Sequence, residues 1–148
     1  MAKTKPEITI AFNRKLLMVN NAYRQFIQCK LKEHNVGLTY EMLQVMACLW
    51  NREGINQQEI ANVTVKDKAS MTYLIDNLTK RGLVSRFEDA NDRRNKLIML
   101  TDAGMALKAK IQPVLDEMHQ VSGKNIDVAQ LTEFMAVLEK IEGNLKIC

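Results

Sequence analysis

The stretch that decides the fold runs Ile55-Asn56-Gln57-Gln58-Glu59-Ile60-Ala61-Asn62-Val63-Thr64-Val65-Lys66-Asp67-Lys68-Ala69-Ser70-Met71-Thr72-Tyr73-Leu74-Ile75-Asp76-Asn77-Leu78-Thr79-Lys80-Arg81-Gly82 and continues to Thr101. Asn56 followed three residues later by Glu59 has the form of a capping box, opening a short helix with Ile60, Ala61 and Val63 inward. The β-branched run Asn62–Lys66 breaks that pattern and reads as a turn. Asp67 caps a second helix, Lys68 to Arg81, with Met71, Leu74, Ile75 and Leu78 on one stripe, and Gly82 stands where a left-handed cap belongs. Two strand-like runs follow, Leu83–Phe87 and Lys96–Leu100, separated by a loop that holds Asp92-Arg93-Arg94. Helix, turn, helix and a hairpin with a basic tip are the ordered parts of a winged helix-turn-helix.

Working outward, apolar residues recur at three- and four-residue steps from Glu7 to His34: Ile8, Phe12, Leu16, Val19, Tyr23, Phe26, Ile27 and Leu31. They predict an amphipathic helix of about 25 residues, about 38 Å long, which a chain this small cannot cover without packing on another subunit. Gly37 is the expected left-handed cap. Thr39 caps a helix over Tyr40–Trp50, and Asn51–Gly54 is the turn after it. Thr101 opens a helix that reaches Val121 and that Pro113 should kink or break. Asp127 caps a last helix through Ile141, with Leu131, Phe134, Met135, Leu138 and Ile141 on one face. The fold class is mainly α with a small β-hairpin wing.

Composition limits the function classes. The chain has 148 residues, 47% hydrophobic and 26% charged, with two prolines and six glycines, which favours long helices over a turn-rich β-sandwich. No window of about 18 apolar residues predicts a membrane span. Lys3 and Lys5 precede no apolar segment, so a secretory leader is not expected and the cytoplasm is the default location. The net charge is +4, but residues 51–101 hold 9 basic and 7 acidic groups, so charge alone argues little for nucleic acid. Cys29, Cys48 and Cys148 form no CxxC pair and no zinc ligand set. His34 and His119 are isolated, and no nucleophile elbow, phosphate loop or dinucleotide fingerprint is present, so neither an enzyme nor a cofactor is expected.

In a helix-turn-helix the second helix enters the major groove, and its N-terminal residues meet the bases. Opposite the apolar stripe lie Lys68, Ala69, Thr72, Tyr73 and Asp76, with Ser70 on the flank. Ser70, Thr72 and Tyr73 carry hydroxyls able to bond bases or phosphates, and Lys68 supplies charge. Asn56 and Gln57 would help the first helix place its N-terminus on a phosphate. Arg93 and Arg94 at the hairpin tip can enter a minor groove, Asp92 would orient one guanidinium, and Arg86 and Lys96 on the strands suit phosphates.

Leu38-Thr39 with Leu43, Gln58-Glu59-Ile60-Ala61, Asp67-Lys68-Ala69-Ser70-Met71-Thr72, Ile75-Asp76-Asn77-Leu78, Arg81-Gly82-Leu83-Val84-Ser85-Arg86, Asp92-Arg93-Arg94 and Leu100-Thr101-Asp102-Ala103-Gly104 together resemble the MarR family of bacterial transcriptional regulators. The likeness is close over about 38–104, and the flanking helices fit the family's layout. It implies a winged helix-turn-helix over 38–101 and a helical dimerisation region made of 1–37 and 102–148, in a single compact chain. It further implies a homodimer with interlocked terminal helices on a pseudo-palindromic operator in double-stranded DNA. Ser70, Thr72 and Tyr73 become the groove readers and Arg94 the wing arginine supported by Asp92. Tyr73 stands where the family often has arginine, which puts the preferred operator in doubt.

Members of the family respond to small aromatic ligands or to cysteine oxidation. Met18, Tyr23, Met42, Met46 and Met118 are the candidate ligand wall, against a competing reading as core filling. Cys29, with Arg24, Lys30 and Lys32 nearby, is the candidate redox residue, although the redox-sensing members carry theirs nearer the start of the first helix; Cys48 in its apolar run should be inert. The resulting expectation is a repressor released by a small ligand. A Cys29-based redox regulator and a winged-helix protein adaptor are the alternatives.

Overall fold

Helix starts organise this chain. Thr4, Thr39, Asn56, Asp67 and Asp127 all have extended backbone and accept the N–H three residues on with a side-chain oxygen, from Glu7, Met42, Glu59, Ser70 and Gln130. Each satisfies a donor that the helix cannot. A computed structural model describes residues 1–52 and 54–147. The expected turn over Asn51–Gly54 includes Glu53, which with Cys148 lies outside the described residues.

The chain divides into two units, residues 1–115 and 116–148. The first holds α1 (Lys5–Glu33), α2 (Tyr40–Asn51), β1 (Ile55–Asn56), α3 (Gln57–Thr64), α4 (Lys68–Lys80), β2 (Val84–Glu88), β3 (Lys96–Leu100) and the first part of α5 (Asp102–Ser122). The second holds the end of α5 and α6 (Val128–Leu145). α5 runs through Pro113 without a break. A proline inside a helix forfeits one backbone bond and strains the preceding turn, and here neither effect ends the helix.

The sheet has three antiparallel strands in the order β1-β3-β2, where the sequence predicts only the hairpin. β1 is two residues long, Ile55 opposite Ile98 and Asn56 opposite Leu97, too short to show alternation. In the hairpin Val84 faces Leu100 and Glu88 faces Lys96. Met46, Leu49, Ile60, Met71, Ile75, Leu78 and Ile98 are fully buried together, so α2, α3, α4 and the sheet share one aliphatic core. By contrast α1 buries only Ile27 and Leu31, and α6 buries nothing.

The helix ends correct one expectation. At the end of α1 the left-handed residue is Asn35, at φ +52, and not Gly37. Val36 N–H reaches back to Leu31 O at 2.8 Å and Asn35 N–H to Lys32 O at 3.1 Å, a Schellman pair. Gly82 (φ +70) closes α4 the same way, as expected, with Leu83 N–H on Leu78 O at 3.0 Å. The end of α3 is less comfortable: Val65, a β-branched residue, holds φ +53 and is 90% exposed. A left-handed backbone costs an L-residue with a Cβ about 1–2 kcal/mol and burial of this side chain returns nothing. Val65→Gly is therefore expected to raise the unfolding free energy by about 1 kcal/mol, read from the urea midpoint, despite the extra freedom it gives the unfolded chain. A lower midpoint would rule out the strain.

Candidate nucleic-acid interface

α3, α4 and the β2–β3 wing enclose a cleft of about 500 Å³ lined by Gln57, Gln58, Ala61, Lys68, Met71, Thr72, Arg86, Arg94, Asn95 and Lys96. Four of these are cations and none is a carboxylate. The near-balanced charge of the surrounding sequence is thus sorted in space, with the positive groups of three separate segments facing one opening. The N-terminus of α3 adds its partial positive charge at the Gln57 side.

The expected site residues differ in how free they are. Asn56 is spent on α3, its Oδ1 accepting Glu59 N–H at 2.7 Å and its Nδ2 donating to Glu59 Oε1 at 3.1 Å. Glu59 thereby grips the asparagine side chain and not its backbone, so the box expected from spacing is only half formed. Gln57 Nε2 donates to Thr72 Oγ1 at 2.8 Å, joining α3 to α4. Lys68, Ser70, Thr72 and Tyr73 are all exposed, Tyr73 by 68%. Arg86 is not the loose strand cation the sequence suggests. Its Nη1 pairs with Asp76 at 2.5 Å and its Nη2 donates to Thr72 O at 3.4 Å, which braces the base of the wing against α4. The sequence places Asp76 on the face of α4 opposite the apolar stripe, and its partner Arg86 lies across a turn, where helical spacing does not reach.

The wing tip is built from aspartate-to-backbone bonds. Asp89 Oδ1 accepts Asn91 N–H at 3.0 Å and Asp89 Oδ2 accepts Asn95 Nδ2 at 3.1 Å. Asp92 Oδ1 accepts the Arg94 backbone N–H at 3.0 Å. The expectation that Asp92 holds a guanidinium is therefore corrected. A residue two positions before Arg94 closes an Asx turn more easily than it reaches the end of that long side chain. Among the described residues neither Arg93 nor Arg94 has a carboxylate partner, and both are exposed.

Asp67, the cap of α4, has a carboxyl pKa below its ordinary 3.8, first because Ser70 N–H donates to it and next because Ser70 Oγ does. A depressed folded-state pKa stabilises the fold above the unfolded value and ceases to do so as pH falls through the folded one. Asp67→Asn keeps a cap without titrating. Wild type should lose stability relative to that variant as the pH drops below about 4, in parallel acid melts; parallel curves would remove the carboxylate from α4 stability.

The candidate sensor residues are placed as follows. Met42 and Met46 belong to the buried core, Tyr23 and Met118 are half-buried, and Met18 is 57% exposed. Cys29 is exposed, and its Sγ lies 3.6 Å from Glu33 Oε1, a negative neighbour where the sequence suggested a positive setting. Burial raises the Cys48 thiol pKa. The apolar wall around Cys48 thus opposes thiolate formation there.

The MarR family model matches residues 38–96, which span α2, the helix pair and the wing. The regulator SarZ of Staphylococcus haemolyticus is 30% identical over 100 residues, 68% of this chain and 64% of that protein. Residues 38–96 are a MarR-family segment. The multiple antibiotic resistance protein MarR of Escherichia coli K12 is 26% identical over 89% of this chain and 91% of that one. The alignments span less than two thirds of the SarZ relative and, at 46%, less than half of the regulator TtmR of Methylorubrum extorquens. Among solved structures, that of a complex of S. aureus MepR with DNA superposes with a TM-score of 0.79 at 25% identity, covering 90% of this chain and 98% of that one. Another, of the transcriptional regulator PA3341, gives 0.82 at 28% identity over 91% and 98%. The winged helix-turn-helix and its small sheet are common to these MarR-family folds.

Proposed function

We propose that this chain is a sequence-specific, double-stranded-DNA-binding transcriptional regulator of the MarR type. It acts as a homodimer on a pseudo-palindromic operator and represses by covering a promoter. The observation that carries this is the cleft between α3, α4 and the wing, with Lys68, Arg86, Arg94 and Lys96 on its lining and no carboxylate. An opening of that charge, beside a helix N-terminus, fits a phosphate backbone running between recognition helix and wing. The similarity to a regulator crystallised with DNA supports the same reading.

The dimer is supported by apolar side chains the chain leaves in water: Ile8, Ile10, Leu17, Met18 and Val19 on α1, and Leu131, Phe134, Met135 and Val137 on α6 are each 45–68% exposed. A second copy covering the α1 and α6 faces gives the terminal segments 1–37 and 102–148 their role as a dimerisation region, with 38–101 left to the DNA. Release by a small aromatic ligand is the remaining part of the proposal; within residues 1–115 the half-buried Tyr23 is more open to such a ligand than the core residues Met42 and Met46. Cytoplasmic location goes with the function; no helix among the described residues is long and apolar enough to cross a membrane.

Selection of bound fragments from a random duplex library tests the reading. A dimer returns two half-sites in inverted repeat about one helical turn apart, and affinity falls steeply with salt as phosphate contacts release counterions. No enrichment, or binding indifferent to salt, would point to a protein adaptor. Adding a panel of aromatic acids, and peroxide, to the selected complex separates ligand release from thiol chemistry.

A further inference from the structure

The face of α4 that would enter the groove has fewer free donors than its sequence suggests. Ser70 Oγ donates to Asp67 Oδ2 at 2.9 Å. Thr72 Oγ1 donates to Lys68 O at 3.0 Å and accepts from Gln57 Nε2 at 2.8 Å. A hydroxyl has one proton, so the Ser70 and Thr72 protons are both committed inside the protein. Gln57 adds a constraint from outside α4: its amide holds the Thr72 oxygen in place, and so fixes the side-chain rotamer. What remains at Thr72 for a DNA partner is chiefly its methyl group. Ala69, three residues earlier, contributes a second methyl on the same side of the helix, about 5–6 Å away. Both residues are exposed.

The major groove has one apolar marker, the C5-methyl of thymine, and small apolar side chains recognise it by contact. We propose that this chain reads thymines through the methyl groups of Ala69 and Thr72, with Gln57 as a positioning residue that turns the Thr72 hydroxyl away from the bases. The inference rests on the duplex-binding reading above and adds the base it prefers. Lys68 and Tyr73 are left as the donors of this face. Hydrogen bonding from Thr72 to a base would require it to give up the Lys68 bond, and its oxygen already accepts from Gln57.

The test replaces thymines one at a time with deoxyuridine in the selected operator, which removes only the methyl. Wild-type affinity is expected to fall about fourfold at one or two positions in each half-site, the worth of one methyl-sized group taken out of water. Thr72→Val, which keeps a branched side chain and has no hydroxyl, should retain that thymine-over-uracil preference. Thr72→Ser should lose it at one position, and Gln57→Ala should weaken it at the same position. If uracil is tolerated everywhere, or if Thr72→Val loses affinity as Thr72→Ser does, the methyl reading is overturned while duplex binding stands. If wild type binds no duplex at any salt concentration, both readings fall. Circular dichroism of each variant checks that the fold is intact, and Gln57→Ala, a truncation at a half-buried position outside α4, keeps the proposal open to refutation if a Thr72 variant misfolds.

Discussion

Gly104→Ala is expected to lower stability by about 3 kcal/mol, seen as a melting temperature about 10 °C below wild type. A Cβ at this position would lie 2.1 Å from Leu83 O, 3.1 Å from Leu83 C and 3.2 Å from Leu100 Cδ2. The carbonyl cannot retreat freely, because Leu83 O also accepts Thr101 N–H at 3.1 Å. Nor can the first turn of α5 back away. Thr101 Oγ1 accepts Gly104 N–H at 3.1 Å and donates to Gly82 O at 2.5 Å, while Trp50 Nε1 donates to Gly104 O at 2.9 Å. Four elements meet at this glycine: α2 through Trp50, the end of α4 through Gly82, the start of β2 through Leu83, and α5 itself. Alanine's better helix propensity offers about 1 kcal/mol in return, less than the overlap costs. An unchanged or higher melting temperature would mean that α5 can slide off the sheet. Because the same contacts fix where β2 leaves α4, the variant should also loosen the wing and weaken DNA binding beyond the loss of folded protein.

That junction also marks where the sequence stops being readable. The helix starts could be read because a cap is local: Thr39, Asn56, Asp67 and Asp127 each act on a residue three positions away. The hairpin was readable for the same reason. Partners across the fold were not. Trp50 and Gly104 are separated by 54 positions, Arg86 and Thr72 by 14, and Gln57 and Thr72 by 15. No periodicity links them, and only the motif Leu100-Thr101-Asp102-Ala103-Gly104, carried by family resemblance, hinted that the glycine mattered. β1 escaped because two residues cannot alternate visibly. Glycine is the commoner left-handed residue, which points to Gly37 as the cap of α1, yet asparagine tolerates that backbone too and Asn35 comes first in the chain. Within the candidate interface, residue type is legible in the sequence and a residue's partners within the fold are not. Asn56, Asp92 and Arg86 are all present where expected, but each is engaged by the protein in a way that residue type alone cannot show.

Arg94→Ala should produce the largest functional loss. Its backbone is pinned by Asp92 while its guanidinium has no carboxylate partner among the described residues, so the side chain is anchored at its root and free at its tip. Hydrogen bonds to charged groups are worth about 1.5–3 kcal/mol, or about ten- to a hundredfold in affinity for each contact. In a dimer both wings change together, and the expected loss is a hundredfold or more, with the melting temperature unmoved because the residue is exposed. The kind of loss separates two uses of the arginine. A phosphate contact would be largely kept by Arg94→Lys and would reduce the salt slope by about one per wing in Arg94→Ala. Insertion into a narrow minor groove would make wild type sensitive to exchanging A·T for G·C pairs outside the half-sites, and Arg94→Ala indifferent to it, with lysine a poor substitute. The second pattern is expected, since Asp92 has already fixed the turn that projects the side chain and Lys96, at the foot of β3, is left to meet the backbone. Wild-type affinity in Arg94→Ala, with the fold intact, would take the wing out of DNA binding and leave α4 to carry it alone.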